Sequence, residues 1–383
     1  MRSIARSSTR RTQAVLPPVF ALTGVIHAIG GPLLPSLVST FHLNDSQSGL
    51  LFFLYFSGSS LGALFCRVNY ARAMALGFAA IVGCSLFVAT ASWPLLLVAF
   101  FLLGISVGVP MSAVSLFVGR AYPERCAPLL TFLNFTWSAG ALAAPLLAAR
   151  VLMHHSYRAA YVVLAVAAAI AAPVCAFLLK DAPEPAHAST SRQGFANLRL
   201  IVVFALVAFL QVGIENTSAA WLATYALRMT GEGIVLAAAS TSLYWGGFLA
   251  SRGAASLLLL RTQPKSLFRI AIVIALAAGV LLAAAHSVAA RSVAMFFLGV
   301  ALAPIFPLVL SGFFARARHT SDSRWVLASA GFGGSVLPWL AGWISAHTGT
   351  LRAGILVIPC ALLLMILVLP ALSDSTPAMR NEE

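Results

Sequence analysis

The chain predicts an all-α integral membrane protein with twelve transmembrane helices in two pseudo-symmetric six-helix halves. Three observations carry that prediction. Hydrophobic residues make up 60% of the 383 positions and charged residues only 9%, a balance foreign to soluble domains. Twelve apolar stretches follow one another with short connections, most of them long enough for ~30 Å of hydrocarbon. Short motifs also recur about half a chain length apart.

The spans read as 14–39, 47–66, 73–92, 94–118, 127–150 and 159–179, then 198–227, 234–260, 268–287, 292–315, 325–346 and 353–372. Residues 1–13 are rich in Arg and Ser without an acid. They read as a basic cytoplasmic tail that orients the first helix, although their composition also fits a targeting segment. Residues 14–179 form one half and 198–372 the other. Between them, 180–197 is polar and rich in Pro, Ala and Ser, as a linker is. Residues 373–383 form a second tail.

With the N-terminus inside, 19 of the 24 Lys and Arg residues fall on the cytoplasmic side. That bias predicts both termini and the linker inside a plasma (bacterial inner) membrane. The formal charge of +14 is spread over the connections, with no basic face or zinc-finger spacing, so nucleic acid is not an expected partner. Five scattered cysteines form neither a disulfide nor a metal framework. No metal or cofactor is expected, and no ATP-binding loop or nucleophile–His–acid grouping points to an enzyme.

The halves repeat. GALFCR (62–67) matches GFLASR (247–252) at an offset of 185, and SLFVGR (115–120) matches SGFFAR (311–316) at 196. Gly140 and Pro145 match Gly333 and Pro338, both at 193.

Glu215, in the seventh span, is the only acid inside any of the twelve. An ionisable group at that depth costs at least ~2.5–3.5 kcal/mol and is rarely kept without a role. Gln211, Glu215, Ser218, Leu222 and Tyr225 share a helical face, with Trp221 at its edge. His27, in the middle of the first span, maps by the repeat to Val212, within a turn of Glu215. Glu215 and His27 are therefore the proton-coupling candidates, although a lone histidine can also be a packing group. Aromatic faces stack on sugar C–H surfaces and amides bond hydroxyls. Asn134, Trp137, Gln211, Asn216, Trp221 and Tyr225 are the substrate-binding candidates on that chemistry. Trp93 and Trp325, at span ends, read as interfacial anchors.

The stretches GGPLLPSL (30–37), GLLFFLYFSGSSLG (49–62), VGIENTSAAWLATYALR (212–228), LYWGGFLASR (243–252), LAPIFPLVLSGFF (302–314) and GFGGSVLPWLAGWISAHTG (331–349) resemble the major facilitator superfamily, and within it the fucose permease-like sugar:proton symporters. The resemblance implies the major facilitator fold, with a site between the halves near mid-membrane. It also implies secondary transport of a small polar solute, a sugar or polyol, by alternating access coupled to protons. A proton-coupled exporter of drugs or other hydrophobic compounds is the alternative, although SAGALAAPLLA (138–148) lacks the full G-x-x-x-G-P-x-x-G-G run of such exporters. The expected partners are the solute, protons and the lipid bilayer, with the protein a monomer.

The superfamily's G-x-L-A-D-R-x-G-R-R loop is altered here: Cys66 stands at the Asp position and Asn69 at the Gly. In the second half Ser251 takes the Asp position beside Arg252. The resemblance casts Arg67 and Arg252 as a cytoplasmic gate whose partners are carbonyls rather than the missing Asp.

Overall fold

A computed structural model describes residues 2–64, 69–122, 125–179, 198–258, 262–314, 316 and 323–373. Arg67 and the linker 180–197 lie outside them, as does the tail beyond Ser373. Among the described residues there is no strand. The first half holds α1 (Arg2–Ala28), α2 (Gly30–Phe41), α3 (Asp45–Leu64), α4 (Tyr70–Thr90), α5 (Trp93–Ala121), α6 (Cys126–Leu152) and α7 (Tyr157–Leu178). The second holds α8 (Leu198–Thr230), α9 (Ile234–Ser240), α10 (Ser242–Leu258), α11 (Pro264–Ala284) and α12 (Val288–Leu302). It ends with α13 (Ile305–Phe314), α14 (Ser323–Thr348), α15 (Leu351–Ile355) and α16 (Val357–Ser373).

Among the described residues sixteen helices make twelve spans, because four spans are broken. The first breaks at Ile29, where Gly30, Gly31 and Pro32 follow in sequence. Pro307 withholds the N–H that the Ala303 carbonyl would accept, at the break between α12 and α13. Pro359 does the same to Ile355, and α15 ends there. Between α9 and α10 the Thr241 hydroxyl bonds back to the Ala238 carbonyl at 2.8 Å, a local alternative to the helical ladder.

Eleven spans are long and apolar enough to cross a membrane by composition. The twelfth, α3, is 20 residues long but diluted by Ser57, Ser59 and Ser60; two of these line the cavity described below. The expected tail 1–13 is itself helical from Arg2 onward. It contains neither Gly nor Pro to stop the first helix before Pro17. Phe177, Ile170, Val273 and Leu367 are among the exposed apolar side chains of the outer helices, the surface a bilayer covers.

The same packing device recurs in the two halves. In the first, Gly104 and Gly108 on α5 let the α3 backbone come against them at Tyr55 and Ser59. In the second, Gly299 on α12 receives α10 at Tyr244. Gly140 brings α6 onto α1 at Ala21, and Gly333 brings α14 onto α8 at Phe209. Gly140 and Gly333 are themselves a matched pair of the sequence repeat, so there the duplication is a duplication of helix pairing. Helices in lipid associate by such close approach, since apolar side chains gain nothing by leaving lipid tails. Gly104→Leu and Gly299→Leu are each expected to cost roughly 1–3 kcal/mol through overpacking. Lower melting temperatures of purified variants, with the neutral control Gly83→Leu unchanged, check this; nothing lies near a Cβ at Gly83.

One end of the bundle is closed between the halves. Both Asp45 carboxylate oxygens accept from Arg228, at 2.6 and 2.7 Å, and the Ser345 hydroxyl donates to the same carboxylate. Asp45 is held in place by a reciprocal cap. The Gln47 N–H donates to Asn44 Oδ1 at 2.8 Å, and the Asn44 N–H to Gln47 Oε1 at 3.0 Å. Gly31 lies against the Ala219 backbone and Gly49 against that of Trp339, so the two halves touch backbone to backbone at this end.

Candidate functional site

The opposite end is open. A cavity of about 290 Å³ lies between the halves, and the exposed side chain of Asn134 marks its wet side. From the first half, α1 supplies Phe20 and His27, α3 supplies Phe56, Ser59 and Ser60, and α6 supplies Asn134 and Trp137. From the second, α8 supplies Val212, Glu215 and Asn216, and α10 supplies Arg252. Phe306 of α13 and Leu327, Ala330 and Gly331 of α14 complete that wall.

Six of the predicted positions thus meet in one space: Glu215, His27, Asn134, Trp137, Asn216 and Arg252. The His27 ring packs 5.4 Å from Trp137 and 5.4 Å from Phe56. It lies within hydrogen-bonding reach of Asn216 from the other half, while its Nδ1 has no partner. Trp137 lies edge-on to Trp245, 5.8 Å away. Glu215 accepts no hydrogen bond among the described residues, and the Arg252 guanidinium is the positive charge in electrostatic reach of it.

Three predicted binders lie elsewhere. Gln211 is fully buried and donates through Nε2 to the Leu302 carbonyl at 3.0 Å, at the broken end of α12. Trp221 donates to the Pro338 carbonyl at 2.9 Å, and Tyr225 to the Leu282 carbonyl at 2.8 Å near the end of α11. All three donate to carbonyls of their own half, Gln211 and Tyr225 near a helix end and Trp221 at a proline within α14. Asn216 combines both roles. Its Nδ2 donates to the Gly334 carbonyl at 3.2 Å, the one that Pro338 deprives of its helical donor.

Arg252, cast as a gate residue within the span 234–260, lies inside α10, which continues to Leu258, and lines the cavity wall. Its Nη1 donates to the Asn134 carbonyl at 3.1 Å and to Ser138 Oγ at 2.9 Å. Its guanidinium lies 4.5 Å over the Phe248 ring and 5.5 Å from that of Trp137.

The ion pair of the closed end joins Asp45 and Arg228, which stand just outside the spans 47–66 and 198–227 and 183 positions apart. Arg291 likewise turns out to be buried at 1% exposure and paired with Glu232. Among the described residues no group of three His, Cys, Asp or Glu side chains gathers to hold a metal.

A cavity of this size, walled by aromatic rings and amides with one unpaired carboxyl, can stack and hydrogen-bond a small polar molecule while exchanging a proton with water. Similarities to known proteins agree with that geometry. The chain is 28% identical over 372 residues to a glucose/galactose transporter of Brucella abortus, covering 89% of each. Its fold superposes on a D-xylose–proton symporter with a TM-score of 0.77 at 15% identity, covering 93% of this chain and 97% of that one. The fucose:proton symporter FucP of E. coli superposes at 0.65 and 20% identity, covering 95% and 98%. The Major Facilitator Superfamily pattern matches residues 18–323, and with two six-helix halves closed at one end around a central cavity the chain belongs to that superfamily of membrane transporters.

Proposed function

We propose that this protein is a proton-coupled transporter of a hexose or similar sugar in the plasma membrane, working by alternating access. The observation that carries the reading is the unpaired Glu215 carboxyl in a cavity between the halves that Trp137 and Asn134 also line. The Brucella relative, named for glucose and galactose, supports the substrate class. Charge bias supports cytoplasmic termini and linker. On that orientation the cavity faces the cytoplasm, and Asp45 with Arg228 seals the outside. One chain holds the whole cavity, so a monomer suffices.

In this cycle the sugar binds with its face on Trp137 and its hydroxyls on Asn134 and Asn216. Glu215 takes a proton from the outside-facing cavity and gives it up when the inside-facing cavity admits water. His27, lining the same cavity from the other half, shares that proton or adjusts its release.

The first test is binding. Glucose or galactose is expected to raise the melting temperature of the purified protein, because a ligand of the native state stabilises it by mass action. Trp137→Ala is expected to weaken sugar binding roughly tenfold, about 1.4 kcal/mol, with Trp137→Phe between it and wild type. Stabilisation by lipophilic cations and not by any sugar would overturn the substrate class in favour of a drug exporter.

A further inference from the structure

Two partners compete for Arg252. In the present arrangement its Nη1 is tied across the interface to the Asn134 carbonyl and Ser138 Oγ of α6. Its Nε has no partner. Glu215, in the same half as Arg252, faces the same cavity and is equally unpaired. A guanidinium is a planar fork able to hold one acceptor with one edge and turn to a carboxylate with the other.

We propose that Arg252 is a latch between the halves: it ties α10 to α6 while Glu215 is protonated, and turns to Glu215 when that carboxyl ionises. The latch deepens the proton-carrying role proposed for Glu215 and depends on it. Other groups bear on the same carboxyl. His27 enters the cavity from α1, and Tyr244 of α10 lies within electrostatic reach. The α3, α5, α13 and α14 walls bring only Phe, Ser, Met, Leu, Ala and Gly to this space. Arg252 is thus the group able to exchange a bond to the opposite half for an ion pair within its own.

This exchange makes a coupling rule. With the proton bound and the cavity empty, the tether holds the halves as they stand, so the carrier does not return with its proton. Losing the proton frees the tether by offering Arg252 a carboxylate. A sugar seated on Asn134 and Trp137 frees it by offering its own oxygens. The halves are then held only when the proton is bound without sugar, so the latch closes one of the two leaks that symport must avoid, the return of an empty protonated carrier. Arg252 acts here as a positioning residue, through α6 and Glu215.

The test needs no sugar. Spin labels at Leu64→Cys and Leu327→Cys, in full-length protein otherwise free of cysteine, report the separation of the halves at the open end. Both positions are exposed, at 68% and 46%. Wild type is expected to show one separation at acid pH and a second population as pH rises. Glu215→Gln should keep the acid distribution throughout. Arg252→Gln, which keeps an amide donor for Ser138 but no charge, should show a mixture that ignores pH, and Arg252→Lys should recover part of the response. In vesicles Arg252→Gln should still equilibrate labelled glucose yet lose accumulation at least tenfold. A pH response in Arg252→Gln equal to that of wild type overturns the latch. If wild type accumulates glucose on a pH gradient while its separation ignores pH, the latch falls and the transport reading stands. If wild type and Glu215→Gln respond to pH alike, Glu215 is not the trigger, and the latch falls together with the coupling role of Glu215.

Discussion

Glu215→Gln is expected to abolish accumulation of glucose against its gradient while leaving equilibrium exchange within roughly an order of magnitude of wild type. The amide keeps the size and hydrogen-bonding capacity of the protonated acid, so the loaded carrier can still cross. It cannot release a proton, so the step that makes the cycle one-way is lost. Glu215→Ala should also weaken binding, because it removes an acceptor from the cavity wall. Exchange is measured by counterflow in preloaded vesicles, and accumulation by uptake on an imposed pH gradient. A glutamine variant that still concentrates glucose with wild-type pH dependence would rule out Glu215 as the coupling residue.

The second large effect is expected at the closed end. Removing one member of a fully buried ion pair costs ~3–5 kcal/mol, whereas an exposed pair is worth only ~0.2–1 kcal/mol. The Asp45 side chain is 9% exposed and that of Arg228 34%, an intermediate case. Asp45→Asn or Arg228→Gln should therefore destabilise the closed end by about 1–3 kcal/mol relative to its open counterpart. That is a roughly 5- to 150-fold shift in the balance of the two states. Spin labels at the exposed Thr40 and Thr348 would read it as a wider separation. The swapped pair Asp45→Arg with Arg228→Asp should return the distribution toward wild type. Failure of the swap, with each single variant as wide as the double, would show that Asp45 serves the turn around Asn44 and not the closure.

How much of this was legible in the sequence depended on whether the relevant physics is local. Span positions were, because hydrophobic length is a property of a stretch. Glu215 and His27 were, because an ionisable group in lipid is conspicuous in any span. Gln211, Trp221 and Tyr225 misled for a physical reason. A helical wheel shows that a polar face exists but not what it faces, and here the partners are carbonyls at Leu302, Pro338 and Leu282. Two of those lie near a helix end or break and one on a proline within α14, features set by other helices. The Asp45–Arg228 pair joins residues 183 positions apart, and no periodicity reports such a contact. Arg252 was legible as a cation within the span 234–260, but its bonds to the Asn134 carbonyl and Ser138 of the opposite half were not, since they join residues 118 and 114 positions apart.

The central claim is that a proton gradient drives sugar through this cavity. Its most direct measurement is uptake of labelled glucose and galactose by proteoliposomes of the purified protein, with the outside made acid and a protonophore added midway. The account predicts accumulation above the outside concentration, collapse to equilibrium on adding the protonophore, and no accumulation without the pH difference. Accumulation that survives the protonophore, or sugar uptake that never exceeds equilibrium at any imposed pH gradient, would contradict it.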